Sequence, residues 1–483
     1  MIWGFSQIIL TVDLHWTPCF ESFTCTRLQV PLDYANSSAG TISVAFIKHA
    51  DPNASAKTHD ILYNPGGPGD TGVGELISNV VNLRNFLGDK HNIVSFDPRG
   101  VTNSGPNIDC FPGDQADEYI FISTYIPVYA LAGAYGVWCS AAHMNNSAQY
   151  VGTSAGAQDM LRYIDVSHNS SNSVRKLWYY GVSCGTALGS TFASLHPDRV
   201  GRMTLDGVLD LNDWYSGELK ANIIHADEII ENFFLSCYKA GKEKCVFYAD
   251  SPRKIEQRLN DLFEAIRVEP IAVADRSKVK SPTIITYEVM RFALLNACYA
   301  PQFQWPQLAQ QLLDLENRNG SSMARLAVLF HGPFEGSTVL CADSNSRYNL
   351  FTLESFTQHV DLMKSQSHWV GESWLHPVEC RQLQITPPPS QQFSFDTTTA
   401  VRTSFPILLV SNNLDPVTPL VRARKMHAHF SGLALLVQDS MGHASDSAPS
   451  NCSARYVQEY LDGMPPLPGT TCQPNTLPFE YAD

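Results

Sequence analysis

The most informative part of the sequence is the run Lys176-Leu177-Trp178-Tyr179-Tyr180-Gly181-Val182-Ser183-Cys184-Gly185-Thr186-Ala187-Leu188-Gly189. An apolar stretch typical of a buried strand leads into Gly181-x-Ser183-x-Gly185, and small residues typical of a helix follow. This order predicts a nucleophile elbow, a tight strand-to-helix turn that strains the serine backbone and lifts its hydroxyl off the sheet. The flanking positions must be small because larger residues would collide with the strand and the helix.

The length and the charge of the chain limit its organisation and its partners. With 483 residues it exceeds one ordinary core, so we expect a large domain with a substantial insertion, or two domains. The formal net charge of −14 argues against nucleic acid and anionic membrane surfaces, since both attract basic patches. No run approaches the roughly 20 apolar residues of a membrane-spanning helix. The expected partner is a small molecule, and a monomer is assumed.

The cysteines and the glycosylation motifs indicate an oxidising compartment. Twelve cysteines without a Cys-x-x-Cys motif favour disulfides over a metal site, and neither a metal nor a cofactor is predicted. We expect a secreted protein or one in the secretory pathway, although residues 1–10 have no basic region and no cleavage motif before Asp13, so an intracellular protein is the alternative. The six Asn-x-Ser sequons are at Asn36, Asn53, Asn145, Asn169, Asn319 and Asn451.

Strand and helix patterns alternate at both ends of the chain, which predicts a mostly parallel sheet covered by helices on both faces. The strand-like runs are at residues 27–31, 42–47, 60–63, 91–96, 177–182, 202–208, 405–410 and 433–437. The first two are predicted to form an opening hairpin, and a helix is predicted around residues 153–165. Polar or mixed segments are predicted at residues 111–146 and 167–173.

The middle of the chain has a different character. From residue 221 to about 363 the apolar residues recur at helical spacing, and strand signals nearly vanish. Pro387-Pro388-Pro389-Ser390 and the Ser/Thr-rich stretch to residue 399 predict a return linker. We therefore predict a first part of the core at 1–211, a helical cap insertion at 212–395 and a second part of the core at 396–483.

A glycine-rich loop follows the third predicted strand, and it reads Asn64-Pro65-Gly66-Gly67-Pro68-Gly69-Asp70-Thr71-Gly72. A phosphate-binding loop is excluded because no Gly-Lys-Ser/Thr follows. The loop is therefore either a tight surface turn or an oxyanion hole, in which backbone amides stabilise developing negative charge. After the next strand, Asp97 and Arg99 are interpreted as an ion pair that fixes the strand exit rather than as catalytic groups.

A serine nucleophile needs a base to take its proton and a carboxylate to hold that base, and both should follow later strands of a parallel sheet. Asp415 follows the strand-like run at 405–410, and His443 follows the run at 433–437. We predict Ser183 as nucleophile, Asp415 as acid and His443 as base, in the chain order of α/β-hydrolases. The competing candidates for the acid are Asp206, Asp210 and Asp439.

The oxyanion donors are predicted from backbone positions. The amide of Cys184 follows the nucleophile and is expected to be one donor, with Gly67 or Gly66 supplying the other. The thiol of Cys184 is expected to be a small buried hydrophobic group.

Five motifs together resemble the secreted tripeptidyl-aminopeptidase-like α/β-hydrolases, which are relatives of the prolyl aminopeptidases. These motifs are Asn64-Pro65-Gly66-Gly67-Pro68-Gly69, Asp97-Pro98-Arg99-Gly100, Gly181-Val182-Ser183-Cys184-Gly185-Thr186, Asn413-Leu414-Asp415-Pro416-Val417-Thr418-Pro419 and Gly442-His443. The resemblance implies an α/β-hydrolase fold with an inserted helical cap, and a serine exopeptidase that cuts short peptides from free amino termini. It also places the family triad on Ser183, Asp415 and His443.

The resemblance implies further features of the cap and of the cysteines. Acidic residues of the cap would bind the substrate ammonium, and the candidates there include Glu228, Glu288 and Glu372. Cys184 and Cys298 would remain free thiols. The disulfides suggested by proximity and by the family are Cys19–Cys25, Cys110–Cys139, Cys237–Cys245, Cys341–Cys380 and Cys452–Cys472.

Two other classes of function remain open at this stage. The same triad would serve an esterase, lactonase or thioesterase that acts on a specialised metabolite, because only the acyl pocket and the leaving-group site separate these enzymes from a peptidase. Members of the family usually carry an aromatic residue where this chain has Cys184, which leaves the substrate open. A non-catalytic binding protein on a hydrolase scaffold is disfavoured by the intact set of catalytic residue types.

Overall fold

The computed structural model describes residues 4–55, 58–110, 125–143, 147–167, 175–279, 282–329, 337–394 and 400–480. Its strands are β1 (Leu10–Thr11), β2 (Thr17–Cys19), β3 (Phe23–Pro31), β4 (Thr41–His49), β5 (Asp60–Asn64), β6 (Asn92–Phe96), β7 (Leu177–Val182), β8 (Val200–Asp206), β9 (Ile271–Val273), β10 (Thr283–Ile285), β11 (Leu408–Leu414), β12 (Ala434–Met441) and β13 (Thr471–Cys472). Its helices are α1 (Gly72–Leu87), α2 (Tyr125–Ala142), α3 (Thr153–Val166), α4 (Cys184–Leu195), α5 (Leu211–Ser216), α6 (Ala226–Ala240), α7 (Pro252–Val268), α8 (Tyr287–Tyr299), α9 (Pro301–Glu316), α10 (Ala324–Leu329), α11 (Ser337–Ser344), α12 (Leu353–Gln366), α13 (Leu420–Lys425) and α14 (Asn451–Leu461).

One large sheet organises the described chain, with the strand order β1-β3-β4-β6-β5-β7-β8-β11-β12-β13 and β2 paired to β3. The strands from β6 through β5, β7, β8, β11 and β12 to β13 all pair in parallel. The predicted hairpin of β3 and β4 is antiparallel, as is the pairing of β4 with β6. The sheet is therefore mostly parallel, and a parallel sheet is covered by helices on both faces. This architecture confirms the predicted α/β-hydrolase fold class.

Helices cover the sheet on two sides. Helices α1 and α14 pack together, and their apolar residues share one cluster with the side chains of one sheet face. Helices α3 and α4 pack together in a second cluster, which continues into the helices that follow β8. Apolar burial on both faces explains why the central strands read as nearly continuous hydrophobic runs.

The register brings the strand exits to one edge of the sheet. Asn64 at the end of β5 lies opposite Gly181 of β7, and Val182 lies opposite Asp206 at the end of β8. The ends of β11 and β12 are paired through Leu414 and Met441. Residues that follow these strands therefore meet at one rim, where open parallel sheets place their active sites.

The segment between β8 and β11 is mostly helical, as predicted. It also contains β9 and β10, an antiparallel pair of three-residue strands that the sequence did not indicate. Three residues are too few to establish an alternating pattern, which is why the signal was missed. The proposed boundaries at residues 211 and 395 stay a prediction.

The predicted ion pair between Asp97 and Arg99 is wrong. Arg99 is 1% exposed and forms its salt bridge with Asp159 of α3, with Nε 2.6 Å from Oδ2. Asp97 instead accepts hydrogen bonds from the Thr71 hydroxyl at 2.7 Å and the Val73 amide at 3.0 Å. Both residues do fix the strand exit, because each holds a different segment against it.

All five predicted disulfides are present, and Cys184 and Cys298 are free thiols.

Some of the predicted features lie outside the described residues. They are the sequons at Asn145 and Asn169, most of the predicted loop at 167–173, part of the mixed segment at 111–146 and the end of the linker at 395–399. Within the described part of the chain, no helix has the length and apolar content needed to cross a membrane.

Candidate active site

Ser183 occupies the sharp turn between β7 and α4 that the sequence predicts. Its φ is +53°, a left-handed conformation that is unusual for a residue other than glycine and that stores strain. Gly185 makes the turn possible, since a Cβ at that position would lie 2.7 Å from the backbone oxygen of Asn64. The serine side chain lines a large cavity at the strand-exit rim of the sheet.

Asp415 and His443 meet at the same rim, after β11 and β12. The Nδ1 atom of His443 lies 3.1 Å from each carboxylate oxygen of Asp415. Asp415 is completely buried and accepts further hydrogen bonds from the Thr418 hydroxyl at 2.8 Å and the Ala444 amide at 2.9 Å. Within the described residues Nε2 of His443 has no hydrogen-bond partner, and the side chain lines the same cavity as Ser183. Hydrogen bonds between nucleophile and base are often long before substrate binds.

Asp415 and His443 each stabilise the charged form of the other. Burial by itself would raise the pKa of Asp415, but His443 and the hydrogen bonds from Ala444 and Thr418 outweigh it and lower that pKa to about 2. Burial opposes the imidazolium form of His443, yet the Asp415 carboxylate prevails and raises the pKa of the histidine above its ordinary value. Asp446 and Asp206 raise it further. Asp415 therefore stays ionised and favours a positive charge on the ring.

The competing acids have other surroundings. Asp206 is buried at the end of β8 and accepts a hydrogen bond from the Ser445 amide at 3.0 Å, and burial raises its pKa to about 7. Asp210 caps the amino end of α5, and Asp439 is exposed on β12. Among these four acids in the described chain, Asp415 alone hydrogen-bonds to the histidine.

The glycine loop presents backbone amides to the elbow. Gly66 has φ +105°, and a Cβ there would lie 2.6 Å from the Val182 oxygen, so the close approach requires glycine. The Gly66 amide donates to Oδ1 of Asn64 at 3.1 Å and is thus occupied. Within the described residues the amides of Gly67 and Cys184 donate to no other group, and both residues line the cavity. Of the three predicted oxyanion donors, these two are free.

The expectation that Cys184 is a buried hydrophobic group is wrong. The side chain is half-buried, lines the cavity, and its thiol donates to the Gly67 carbonyl at 2.9 Å. Burial and the nearby charge of Asp70 raise the thiol pKa to about 12, so the group stays protonated. A small polar side chain thus occupies a position beside the nucleophile, where it links the elbow to the glycine loop.

The cavity has a volume of about 1600 Å³ and is lined both by core residues and by residues of the segment between β8 and β11. The acids proposed for ammonium binding, Glu228, Glu288 and Glu372, do not line it. Glu372 is engaged by Arg291 at 2.5 Å. The acids that do line it are Asp70, Glu379 and Asp446. Asp70 directly follows the motif that ends at Gly69, and Asp446 lies three residues after His443, so their places in the sequence were an available signal.

No group of histidine, cysteine and carboxylate side chains within the described residues could hold a metal ion.

Comparison with known proteins finds hydrolases that resemble this chain over nearly its whole length. A sequence profile described as "TAP-like protein" matches residues 367–472, a region that contains Asp415 and His443. The chain is 25% identical to "Serine protease Hip1" of Mycobacterium tuberculosis over 95% of its length and 91% of that protein. It is 24% identical to "Tripeptidyl aminopeptidase" of Streptomyces lividans over 96% of its length and 87% of that protein.

The chain has the α/β-hydrolase fold, and it is similar to hydrolases of the TAP-like type. The predicted resemblance is thereby confirmed. The chain is also 24% identical, over 96% of its length and 91% of the other protein, to "Carboxylesterase B" of Mycobacterium tuberculosis. The relatives of the chain thus bear names from two kinds of hydrolase.

The raised pKa of His443 gives a pH prediction. The base must be neutral to accept a proton, so kcat/KM should fall as the pH drops through a pKa above that of free histidine. Asp446→Asn removes one of the charges that raise this pKa, and we expect the acid limb of the pH profile to move to lower pH. Initial rates with one neutral substrate between pH 5 and 9 measure it; the exposed Asp439→Asn variant serves as control. An unmoved limb in Asp446→Asn would refute the assignment of that limb to His443.

Proposed function

We propose that the protein is a serine exopeptidase that releases short peptides or amino acids from free amino termini. The observation that carries this proposal is the arrangement at the sheet rim, where Ser183 in a strained elbow faces the same cavity as a His443 that is hydrogen-bonded to Asp415 at 3.1 Å. The relatives named as a serine protease and a tripeptidyl aminopeptidase support the choice of peptide substrates.

The proposed reaction has two stages. The Ser183 hydroxyl attacks the acyl carbon while Nε2 of His443 takes its proton, and Asp415 at Nδ1 stabilises the resulting imidazolium. The amides of Gly67 and Cys184 would stabilise the oxyanion of the tetrahedral intermediate. The histidine then protonates the leaving amine, and a water molecule activated by the same base hydrolyses the acyl-enzyme.

Several features support a small substrate. The cavity is lined by cap-segment side chains such as Phe292, Leu340 and Trp374 as well as by the elbow. Apolar walls with a few polar groups are typical of sites that enclose small ligands. The five disulfides support an oxidising compartment such as the secretory pathway.

The test is a panel of aminoacyl, dipeptidyl and tripeptidyl anilides, each with a free and with an acetylated amino terminus. An exopeptidase of this kind should hydrolyse the free forms, and acetylation should lower kcat/KM at least about a hundredfold, because an enzyme that requires a free amino terminus leaves its ammonium-binding groups unpaired when that charge is removed. Equal rates on free and acetylated substrates would contradict the exopeptidase proposal while leaving a serine hydrolase in place.

An esterase is the second candidate, and the relative named as a carboxylesterase favours it. Simple acyl esters and lactones separate the two candidates, because an esterase should hydrolyse esters without any need for a free amino group. Rapid turnover of acyl esters together with no measurable turnover of any peptidyl anilide would decide for the esterase.

A further inference from the structure

Asn222 is a buried polar side chain in the wall of the cavity that Ser183 lines. It lies in the connection between α5 and α6 and is 1% exposed. The other asparagines among the described lining residues are exposed or half-exposed, and these are Asn79, Asn82, Asn85, Asn451 and Asn475. Water can satisfy the exposed side chains, whereas Asn222 depends on protein or ligand groups for its hydrogen bonds.

Arg422 binds the oxygen of this side chain. The arginine is completely buried, and its Nη2 donates to Oδ1 of Asn222 and to Oδ2 of Asp213. Within the described residues Nε and Nη1 of Arg422 have no partner. A guanidinium carries five N–H donors and no acceptor, so the hydrogen bond between Arg422 and Asn222 can run in one direction only.

This contact fixes the orientation of the Asn222 amide. A reversed amide would turn its own N–H donors toward those of Arg422, so Oδ1 must face the guanidinium. Nδ2 is left for another partner, and it donates to no described residue. None of the fully enclosed polar atoms without a partner belongs to Asn222, and the side chain lines the cavity. A donor of fixed direction is therefore offered to the cavity.

Asp213 holds the arrangement from a second side. Its Oδ2 accepts from Arg422, and its Oδ1 accepts from the Lys220 amide at 2.8 Å, two residues before Asn222. One carboxylate thus binds both the arginine that orients the Asn222 side chain and the backbone that carries it. Arg422 lies on α13, which follows the loop of Asp415. The donor is therefore attached to the part of the core that supplies the catalytic acid.

The wall that precedes Asn222 along the chain is apolar. Leu209, Trp214 and Leu219 line the same cavity, and the indole N–H of Trp214 is occupied by Asp343 at 2.8 Å. Sites for small ligands combine apolar walls with a few fixed polar groups that orient the ligand. In this stretch of the described lining, the Asn222 amide is such a group.

We propose that Asn222 binds the substrate by donating a hydrogen bond from Nδ2 to a main-chain carbonyl next to the scissile bond, and that Arg422 is the positioning residue that orients it. A primary amide nitrogen carries two donors and no charge, which suits the carbonyl oxygen of a peptide. Such a contact recognises the main chain of the peptide and is independent of its side chains. This inference rests on the proposed peptidase function.

The test uses substrates that lack one carbonyl. Tripeptidyl anilides and internally quenched peptides are prepared with a trans-alkene in place of one peptide bond, on the acyl side or on the leaving-group side of the scissile bond. For one of these analogues we expect kcat/KM of the unaltered enzyme to fall about tenfold or more relative to the peptide, because a donor in the site is left unpaired. The readout is this peptide-to-alkene ratio, in which general effects on the catalytic step cancel.

Asn222→Asp separates binding from packing. Its carboxylate still accepts from Arg422, so the fold should be kept, but it presents no N–H to the cavity. We expect the peptide-to-alkene ratio to fall to near one. Asn232→Asp is the matched control, which should leave the ratio unchanged. It makes the same change in the same segment, where the Asn232 amide donates to the Glu228 carbonyl at 2.9 Å and does not line the cavity.

Two further variants test the role of Arg422. Arg422→Lys keeps a cationic donor and should retain most of the ratio, whereas Arg422→Met frees the Asn222 amide to turn and should lower the ratio about as far as Asn222→Asp does. A residue that served the fold alone would change the rates on peptide and alkene together and leave the ratio intact. Circular dichroism confirms that each variant folds, and if Arg422→Met fails to fold, Asn222→Asp still decides.

Two outcomes would overturn the inference: ratios near one for every analogue in the unaltered enzyme, or a ratio that persists in Asn222→Asp. Failure of the proposed function has a different signature. The unaltered enzyme would then hydrolyse acyl esters and none of the peptides, and the inference would fall with the function.

Discussion

Replacing Ser183 by alanine is expected to lower kcat/KM by at least about ten thousandfold, because a serine nucleophile acts as a unit with its base and its acid. The residual rate would come from substrate binding and the free amides of Gly67 and Cys184. The substitution removes no packing contacts from the core, because the side chain faces the cavity. The thermal midpoint of unfolding should therefore change little. Steady-state kinetics on the best substrate of the panel measure the loss.

Ser194→Ala is the matched control for this variant. It makes the same chemical change near the other end of the helix that follows the elbow, but the Ser194 hydroxyl donates to the Ser190 carbonyl at 2.8 Å and does not line the cavity. A fluorophosphonate probe should label the unaltered protein and Ser194→Ala, and should not label Ser183→Ala. Unchanged turnover or persistent labelling in Ser183→Ala would refute the assignment of the nucleophile.

Asp415→Asn is expected to lower kcat by roughly ten thousandfold at neutral pH. An amide in place of the carboxylate holds the wrong tautomer of His443 and removes the charge that raises the pKa of the ring. The carboxylate also accepts hydrogen bonds from Thr418 and Ala444, so some stability should be lost as well. Kinetics should therefore be measured well below the thermal midpoint of the variant.

The control for this prediction is Asp439→Asn. Asp439 is one of the competing candidates for the acid, but it is exposed on β12 and contacts Asn413 and Gln473. We expect near-normal kcat for this variant. If Asp439→Asn lost activity while Asp415→Asn kept it, the acid would have been assigned to the wrong residue.

Local patterns predicted the parts of the site that local chemistry dictates. The elbow around Ser183 requires small neighbours, and Asp415 and His443 follow strands whose apolar runs are visible in the sequence. Parallel pairing brings such strand exits to one rim whatever their separation along the chain. The fold class and the relative positions of these three residues could therefore be inferred before any coordinates were known.

Other features depend on contacts between distant segments. Arg99 pairs with Asp159, 60 residues away, and nothing in its own neighbourhood favours that partner over Asp97. Likewise, Glu372 is an acid in the cap segment, but Arg291 occupies it, whereas Asp70 and Asp446 face the cavity from the core. Which acids remain available to a substrate is decided by tertiary packing, and sequence patterns do not record it.

The disulfides have a mechanical consequence. Each joins two cysteines on the same side of the boundaries set by β8 and β11, so none ties the segment between these strands to the rest of the chain. That segment meets the core through non-covalent contacts such as the Asp343 carboxylate, which accepts from the Thr153 amide at 2.8 Å. The cross-links therefore reinforce each part separately, and the two chain connections are the only covalent links between this segment and the rest of the described chain.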